Sequence, residues 1–292
     1  MRSLRAVWTV LKREVYAFFV SPMAYVLLTA WLLWCGLGFW MLSYFGAQQG
    51  GAGTDTPLTS FFGQTTLFYL PMLVFVPLVT MRLLAEEKSR GTIELLLTAP
   101  VSKVSVVVGK YLASLVIWSA MWLPTLLYVW LASRYGGVDA GATLASYVGV
   151  LGIGVYYMAI GLFMSSLVRS QIVAAILTFL ALGTLFMLGL AQYVLGDEYR
   201  ELFAYVSIWG HMESFSRGVI DSRYLVFNGS LGVLGLVLTV LVMRGAVSAR
   251  DLTQILRRPN SEMRARGLGV LNVVLVLALA APVNSLNFRH YE

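Results

Sequence analysis

Charge is what this sequence has least of. Only 12% of its 292 residues are Asp, Glu, Lys or Arg, whereas 59% are hydrophobic and the mean hydropathy is +0.78. Soluble proteins carry roughly 25% charged residues, so this chain cannot cover the surface of a soluble domain of its size. Cysteine is nearly absent as well. The one residue, Cys35, lies inside an apolar run, which excludes an intrachain disulfide and reads as a buried, inert thiol. A nucleotide-binding P-loop is also missing. Gly109-Lys110 is followed by Tyr111 and lacks the upstream glycine, so the chain has no nucleotide site of its own and is not expected to be an enzyme. No cofactor or metal site is expected in it either.

What is present is apolar sequence in blocks of about twenty, the length that crosses a bilayer as helix. Seven stretches qualify, at about 23–45, 61–81, 111–133, 144–168, 171–195, 225–243 and 268–284. The fold class is therefore an all-α polytopic membrane protein. The first stretch is too long for a cleavable signal and no small-x-small site follows it closely, so it stays as a span. None of the seven contains Asp, Glu, Lys, Arg or His. Such residues mark proton and ion pathways inside membranes, and their absence argues against a secondary transporter, a proton pump or a voltage sensor. Energy for any transport should then enter from outside the membrane.

Direction follows from the basic residues. With the N-terminus in the cytoplasm, sixteen Lys and Arg fall inside and five outside, giving net charges of +10 and −3. The overall charge of +7 thus reports topology, with the N-terminus in and the C-terminus out, and needs no nucleic acid to explain it.

Function must then be sought in four polar segments. Residues 1–22 place Leu4, Trp8, Leu11, Val15 and Phe18/Phe19 at helical spacing, with Arg5, Lys12 and Arg13 between them. This basic amphipathic stretch should lie on the cytoplasmic membrane surface before Ser21-Pro22 turns inward. A plain positive anchor for the first span competes evenly with a docking role. The second segment, 82–110, holds Glu86, Glu87, Lys88 and Arg90, then turns abruptly apolar. Gly91 should end one helix. Thr92 suits the N-cap and Glu94 the first turn of a short new helix carrying Ile93, Leu95, Leu96 and Leu97, with Pro100 stopping it and Ser102 capping the next. Three successive leucines in a water-facing hairpin need a cover, either a partner's groove or the membrane and the protein's own underside.

The third segment is 196–224 on the outer side. His211 and Glu213 make a poor metal pair and read as a solvated or interfacial patch. The fourth, 244–267, has six arginines against Asp251 and Glu262 and is broken at Pro259. It reads as a basic cytoplasmic linker that binds anionic lipid, leading to the seventh span and a short outer tail at 268–292. Within the spans, Gly161 and Ser165 have the small-x-x-x-small spacing that lets helices approach closely. The fourth span should therefore sit inside the bundle, with the dimer seam left open. Pro71 and Pro77 should kink or open the second span. Trp31, Trp34, Trp40, Trp118, Trp122 and Trp130 read as interfacial anchors or lipid-facing bulk, or else as the lining of a lipid path.

The pattern Glu86-Glu87-x-x-x-Gly91-Thr92-x-Glu94-x-Leu96-x-x-x-Pro100-Val-Ser resembles the first cytoplasmic loop of ABC-2 type exporter permeases. More narrowly it resembles the permease of gliding-motility-associated ABC transporters. The start Phe18-Phe19-Val20-Ser21-Pro22 and the outer stretch His211-x-Glu213-Ser-Phe215-Ser-Arg217-Gly218-Val-Ile-Asp221-Ser-Arg223 are similar to the same group. The resemblance covers about residues 4–243, a six-span core from residue 23 onward. Beyond it, Leu271 to the C-terminus looks like the start of that transporter's auxiliary subunit.

The resemblance implies a permease dimer, of two copies or with a related permease, in a bacterial cytoplasmic (inner) membrane, with ATP and Mg held by a separate cytoplasmic ATPase. Residues 86–100 would be the coupling element and Trp8, Leu11, Lys12, Arg13 and Val15 part of an interface helix. The stretch His211, Glu213, Phe215, Arg217, Gly218, Asp221 and Arg223 would close the outer exit, with Val219, Ile220 and Tyr224 packed there. An auxiliary subunit with an outer domain would be a further partner. A lipid-linked, amphipathic or polymeric cargo suits charge-free spans. Two rivals stand beside the exporter: a mechanotransmission subunit that drives an envelope protein without transport, and a secondary transporter.

Overall fold

Every described element is helical, as the runs of apolar residues require. The computed structural model describes residues 2–48, 57–63, 66–92, 102–135, 138–190 and 206–245. Within them lie α1 (Arg2–Val20), α2 (Pro22–Gln48), α3 (Pro57–Gly63), α4 (Thr66–Thr80), α5 (Arg82–Ser89) and α6 (Lys103–Trp122). They continue with α7 (Leu126–Tyr135), α8 (Ala140–Leu167), α9 (Gln171–Leu190), α10 (Ile208–Ser216) and α11 (Ser222–Met243). Six helical segments among the described residues are long and apolar enough to cross a membrane, beginning at Pro22, Phe68, Lys103, Ala140, Gln171 and Ser222. They correspond to the first six expected spans, and the chain is a multi-pass membrane protein. The expected seventh span at 268–284 lies outside the described residues, as does the linker beyond Gly245.

Local sequence sets the ends. Ser102 accepts a hydrogen bond from Ser105 N and caps α6, as its position predicts. Asp139 and Asp221 do the same for α8 and α11. An Arg-Gly pair closes α5, α10 and α11 at Arg90-Gly91, Arg217-Gly218 and Arg244-Gly245, with each glycine at positive φ. That left-handed turn is easiest for glycine, and the arginine places positive charge at the negative end of the helix dipole. Pro124 breaks the third span into α6 and α7 through a short 3-10 turn at Leu123–Thr125.

α8 is the centre of the bundle, touching α3, α4, α5, α6, α9, α10 and α11. Its small residues are notches for neighbours: Gly149 takes Phe215, Gly154 takes the indole of Trp118, and Gly161 takes Thr80. The tryptophans divide in a way their hydropathy alone does not reveal. Trp34, Trp40 and Trp130 are exposed on the flanks, but Trp31, Trp118 and Trp122 are fully buried and pack on one another with ring centroids 4.9–6.2 Å apart. These three are core and not interfacial anchors. Trp118 additionally donates to Val150 O at 3.1 Å, which ties α6 to α8.

The two ends of the bundle collect different loops. α1, α5, the start of α6, the α8–α9 turn and the end of α11 gather at one end, where Lys103 donates to Met243 O at 3.1 Å. α3, α10 and the starts of α8 and α11 gather at the other. This is the alternation that the distribution of Lys and Arg predicts.

Candidate functional site

At the basic end, four charges close a ring of alternating sign. Arg13 Nη2 lies 2.7 Å from Glu14 Oε1 and 2.8 Å from Glu87 Oε1. Lys110 Nζ lies 2.9 Å from the same Glu14 oxygen and 3.0 Å from the same Glu87 oxygen. Lys110 is 1% exposed, so its charge is compensated by the two carboxylates and not by water. Three elements meet here: α1 supplies Arg13 and Glu14, α5 supplies Glu87, and α6 supplies Lys110. Burial alone would raise the Glu14 carboxyl, but the Lys110 ammonium and the Arg13 guanidinium outweigh it and hold the group below its ordinary value of 4.5.

The sign of the pH effect follows. A carboxylate with a depressed folded value contributes its full stability above the unfolded value and loses it as the pH falls through the folded one. Docking of α1 should therefore be constant from pH 7 to about 5, and weaken only below 4.5. Amide exchange of α1, corrected for intrinsic rates, checks this, and Glu14→Gln should abolish the acid-dependent part.

α1 uses a second face to meet the bundle and leaves the expected apolar face outward. The helix is present, but Leu4 and Trp8 point away from the protein, Trp8 being 56% exposed with Lys12 Nζ 5.0 Å over its ring. The face turned to the bundle carries Val7, Val10 and Glu14. Val10 sits against Gly109 of α6, where a Cβ would come within 2.8 Å of it. Leu11 and Val15 are half-buried at its edge.

Glu87 and Lys88 also turn inward. Glu87 joins the ring, and Lys88 donates its ammonium to Ser166 O at the end of α8. Glu86 pairs with Arg90 at 2.7 Å along the surface of α5. Gly91, at φ +71°, ends the helix as expected, and Thr92 follows it at the surface. Ile93, Glu94, Leu95, Leu96, Leu97 and Pro100 lie outside the described residues.

Above α5 sits a break that the prolines do not make. α4 runs through Pro71 and Pro77 as far as Thr80, and the interruption is at Met81. There the Ser165 hydroxyl of α8 accepts from Leu84 N at 3.2 Å and Ala85 N at 3.0 Å, and donates to Met81 O at 3.1 Å. A side chain inserted into the ladder is a known cause of helix bending. The second span thus stays helical at Pro71 and Pro77, and Ser165 makes a joint one turn beyond them at Met81. Ser165→Ala leaves two buried amides without this acceptor and should cost about 1–3 kcal/mol. Faster exchange of Leu84 and Ala85 would report it, whereas slower exchange would mean that the ladder closes.

At the opposite end α10 packs against α3 and α8. Phe215 is fully buried in the notch at Gly149, and Gly63 of α3 abuts Ser216. His211 is fully buried, its ring 4.2 Å from Tyr224 and 5.3 Å from Phe227. Trp209 bridges Tyr69 and Phe186, each with centroids 4.8 Å away. Beside it a small cleft is lined by uncharged residues that include Tyr156, Tyr157, Phe186, Ile208 and Phe227. His211 is therefore not part of a solvated patch, and only the charged members of the predicted segment lie on the rim: Glu213 pairs with Arg217 at 2.7 Å and Asp221 with Arg223 at 2.6 Å. Burial would raise the Asp221 carboxyl, but its bonds to Arg223 keep it below the ordinary value. Val219 and Ile220, expected to pack inside, are 60% and 53% exposed at the tip that Gly218 turns with φ +84°. The turn carries both side chains off the bundle.

Sequence reasoning missed the ring. Lys110 stands just outside the apolar run counted as the third span, and Glu14 looks like one more surface charge. The available signal was Glu14 at helical spacing from Val7 and Val10, on a face less hydrophobic than the one chosen.

Comparison with known proteins agrees with this architecture. A family model described as ABC-2 family transporter protein matches residues 37–281. A bacitracin transport permease protein of Bacillus licheniformis is 28% identical over 168 residues, which covers 53% of this chain and 76% of that relative. A bundle of six membrane-length helices, with a short packed helix at one end and a charged ring at the other, is thus matched over most of its length, and the chain belongs to the ABC-2 family of transporter proteins.

Proposed function

We propose that the chain is the membrane subunit of an ATP-driven exporter, seated on a separate cytoplasmic ATPase through the segment between α5 and α6. The family match over residues 37–281 carries this reading, since the family implies an ABC ATPase subunit as partner. ATP and Mg then belong to that partner. The N-terminus faces the cytoplasm of a bacterium and two permease copies work together. Movement of the segment at 92–100 passes through α5 to the joint at Met81, along α4, and through α3 to α10 at the outer end. Opening there frees Phe215 from Gly149 and unseals the uncharged cleft.

A lipid-linked, amphipathic or polymeric cargo suits that lining, and the relative named for bacitracin transport supports export over pure force transmission. The motility-type reading remains the rival, favoured by the three sequence segments similar to gliding-motility permeases and by the apolar stretch at 268–284. In it an auxiliary subunit with an outer domain is the driven partner. Cargo-dependent stimulation of ATPase activity in liposomes separates the two. The basic linker after Arg244 contacts anionic lipid in either case.

A photo-crosslinker placed at Leu95 tests the seat. It should capture the ATPase in native membranes, and one at Val219 should not. Capture at position 219, or none at position 95, contradicts the arrangement.

A further inference from the structure

We propose that the Arg13–Glu14–Lys110–Glu87 ring is a brace that makes α1 and the two feet of the 92–100 segment move as one body, so that these four are positioning residues for energy transmission. The inference rests on the exporter reading above.

The argument begins with placement. Glu87 is in the last turn of α5 and Lys110 in the second turn of α6, the two helices that flank the segment on either side. Their side chains meet at 3.0 Å, so the two feet are tied directly and not only through the loop between them. α1 packs along α6, reaches α5 through Arg13, and contributes the other two corners. Each carboxylate binds both cations through one oxygen, and loss of any corner therefore loosens two elements at once. The ring sums to zero charge, so it holds without a counter-ion and needs none from a partner.

A second observation concerns the acids. Among the described residues of this end, Glu14, Glu86 and Glu87 are all ion-paired within the chain. Glu87 is thus engaged in bracing, and the surface left to face a partner is dominated by Lys and Arg. Packing alone does not call for this arrangement. A lysine buried to 1% beside Val106, Val107 and Ala113 is costly to desolvate, and an apolar residue of the same length would fill the site. What the ring adds is a directional polar link from α5 to α1 and α6, which already pack on each other at Val10 and Gly109.

The test uses the full chain in membranes with its ATPase, in a Cys35→Ala background carrying Ile220→Cys at the exposed outer tip. Labelling by an impermeant maleimide is compared with and without ATP and vanadate. With the ring intact, nucleotide changes the labelling rate. Lys110→Met should retain the ATPase and its basal hydrolysis but lose the nucleotide-dependent change. Inversion of all four corners (Arg13→Glu, Glu14→Arg, Glu87→Lys, Lys110→Glu) should restore it. Glu87→Gln, which keeps the volume, serves if Lys110→Met fails to accumulate.

An unchanged nucleotide response in both single variants overturns the brace. So does loss of the ATPase from Lys110→Met, which would make the ring part of the docking surface. Hydrogen exchange of α1 is read in parallel and does not depend on the ATPase: faster exchange in Lys110→Met supports the brace, and unchanged exchange overturns it. Absence of ATPase from the unmodified chain would instead contradict the exporter reading, with the exchange result still deciding whether the ring holds α1.

Discussion

Lys110→Met is expected to destabilise the folded chain by about 3–5 kcal/mol, the cost of removing one partner from a buried ion pair. Methionine fills nearly the same space, so the loss comes from charge and not from a cavity. Glu14 and Glu87, whose oxygens sit 2.9 and 3.0 Å from the ammonium, are left facing each other with only the half-exposed Arg13 between them. Residues in one such network are not additive. Adding Glu14→Gln and Glu87→Gln to Lys110→Met should therefore recover part of the loss, because no uncompensated carboxylate remains. Denaturation by SDS titration of the purified chain measures all three. A triple variant weaker than Lys110→Met would contradict the electrostatic account.

Gly161→Leu should be comparably severe and should act within one chain. A Cβ built on Gly161 falls on the Oγ1, Cβ and Cγ2 atoms of Thr80, well inside van der Waals contact. Overpacking of this kind costs about 1–3 kcal/mol when a core can shift. Here α4 would have to move away from α8, and Ser165, one turn further along α8, would be drawn out of the Met81 joint. The expected result is a less stable protein, read by the same titration, together with faster amide exchange at Leu84 and Ala85. A variant of normal stability whose oligomeric state alone changes would place Gly161 at a seam between copies.

That second case shows where the sequence was informative. Gly161 and Ser165 announced close packing through their spacing and size, and α8 is indeed central. Spacing could not name the neighbour, because any helix can enter a notch. The six spans were legible because each is a long apolar block with a simple physical requirement. The short helices α3 and α10 were not, since neither carries a periodic signal long enough to recognise. Pro124 interrupts its span while Pro71 and Pro77 do not, so a proline's effect depends on what surrounds its freed carbonyl.

The functional segments divide in the same way. Gly91, Ser102 and Asp221 carry local rules of turn and cap, and they stand where those rules place them. The ring joins residues 13 and 14 to 87 and 110, a relation set by tertiary structure that no window along the chain contains. Likewise the contact of Val10 with Gly109 joins α1 to α6 across about a hundred residues, and no window along the chain contains it.

The central claim is that this membrane subunit works on an ATPase it does not contain. Affinity purification of the tagged full chain from its native membrane in mild detergent, followed by mass spectrometry and an ATP hydrolysis assay on the same sample, tests it most directly. The account predicts a stoichiometric ATPase and hydrolysis that is lost when Leu95 and Leu96 are changed to Glu. A clean oligomer of this chain, with no ATPase and no hydrolysis, would contradict it.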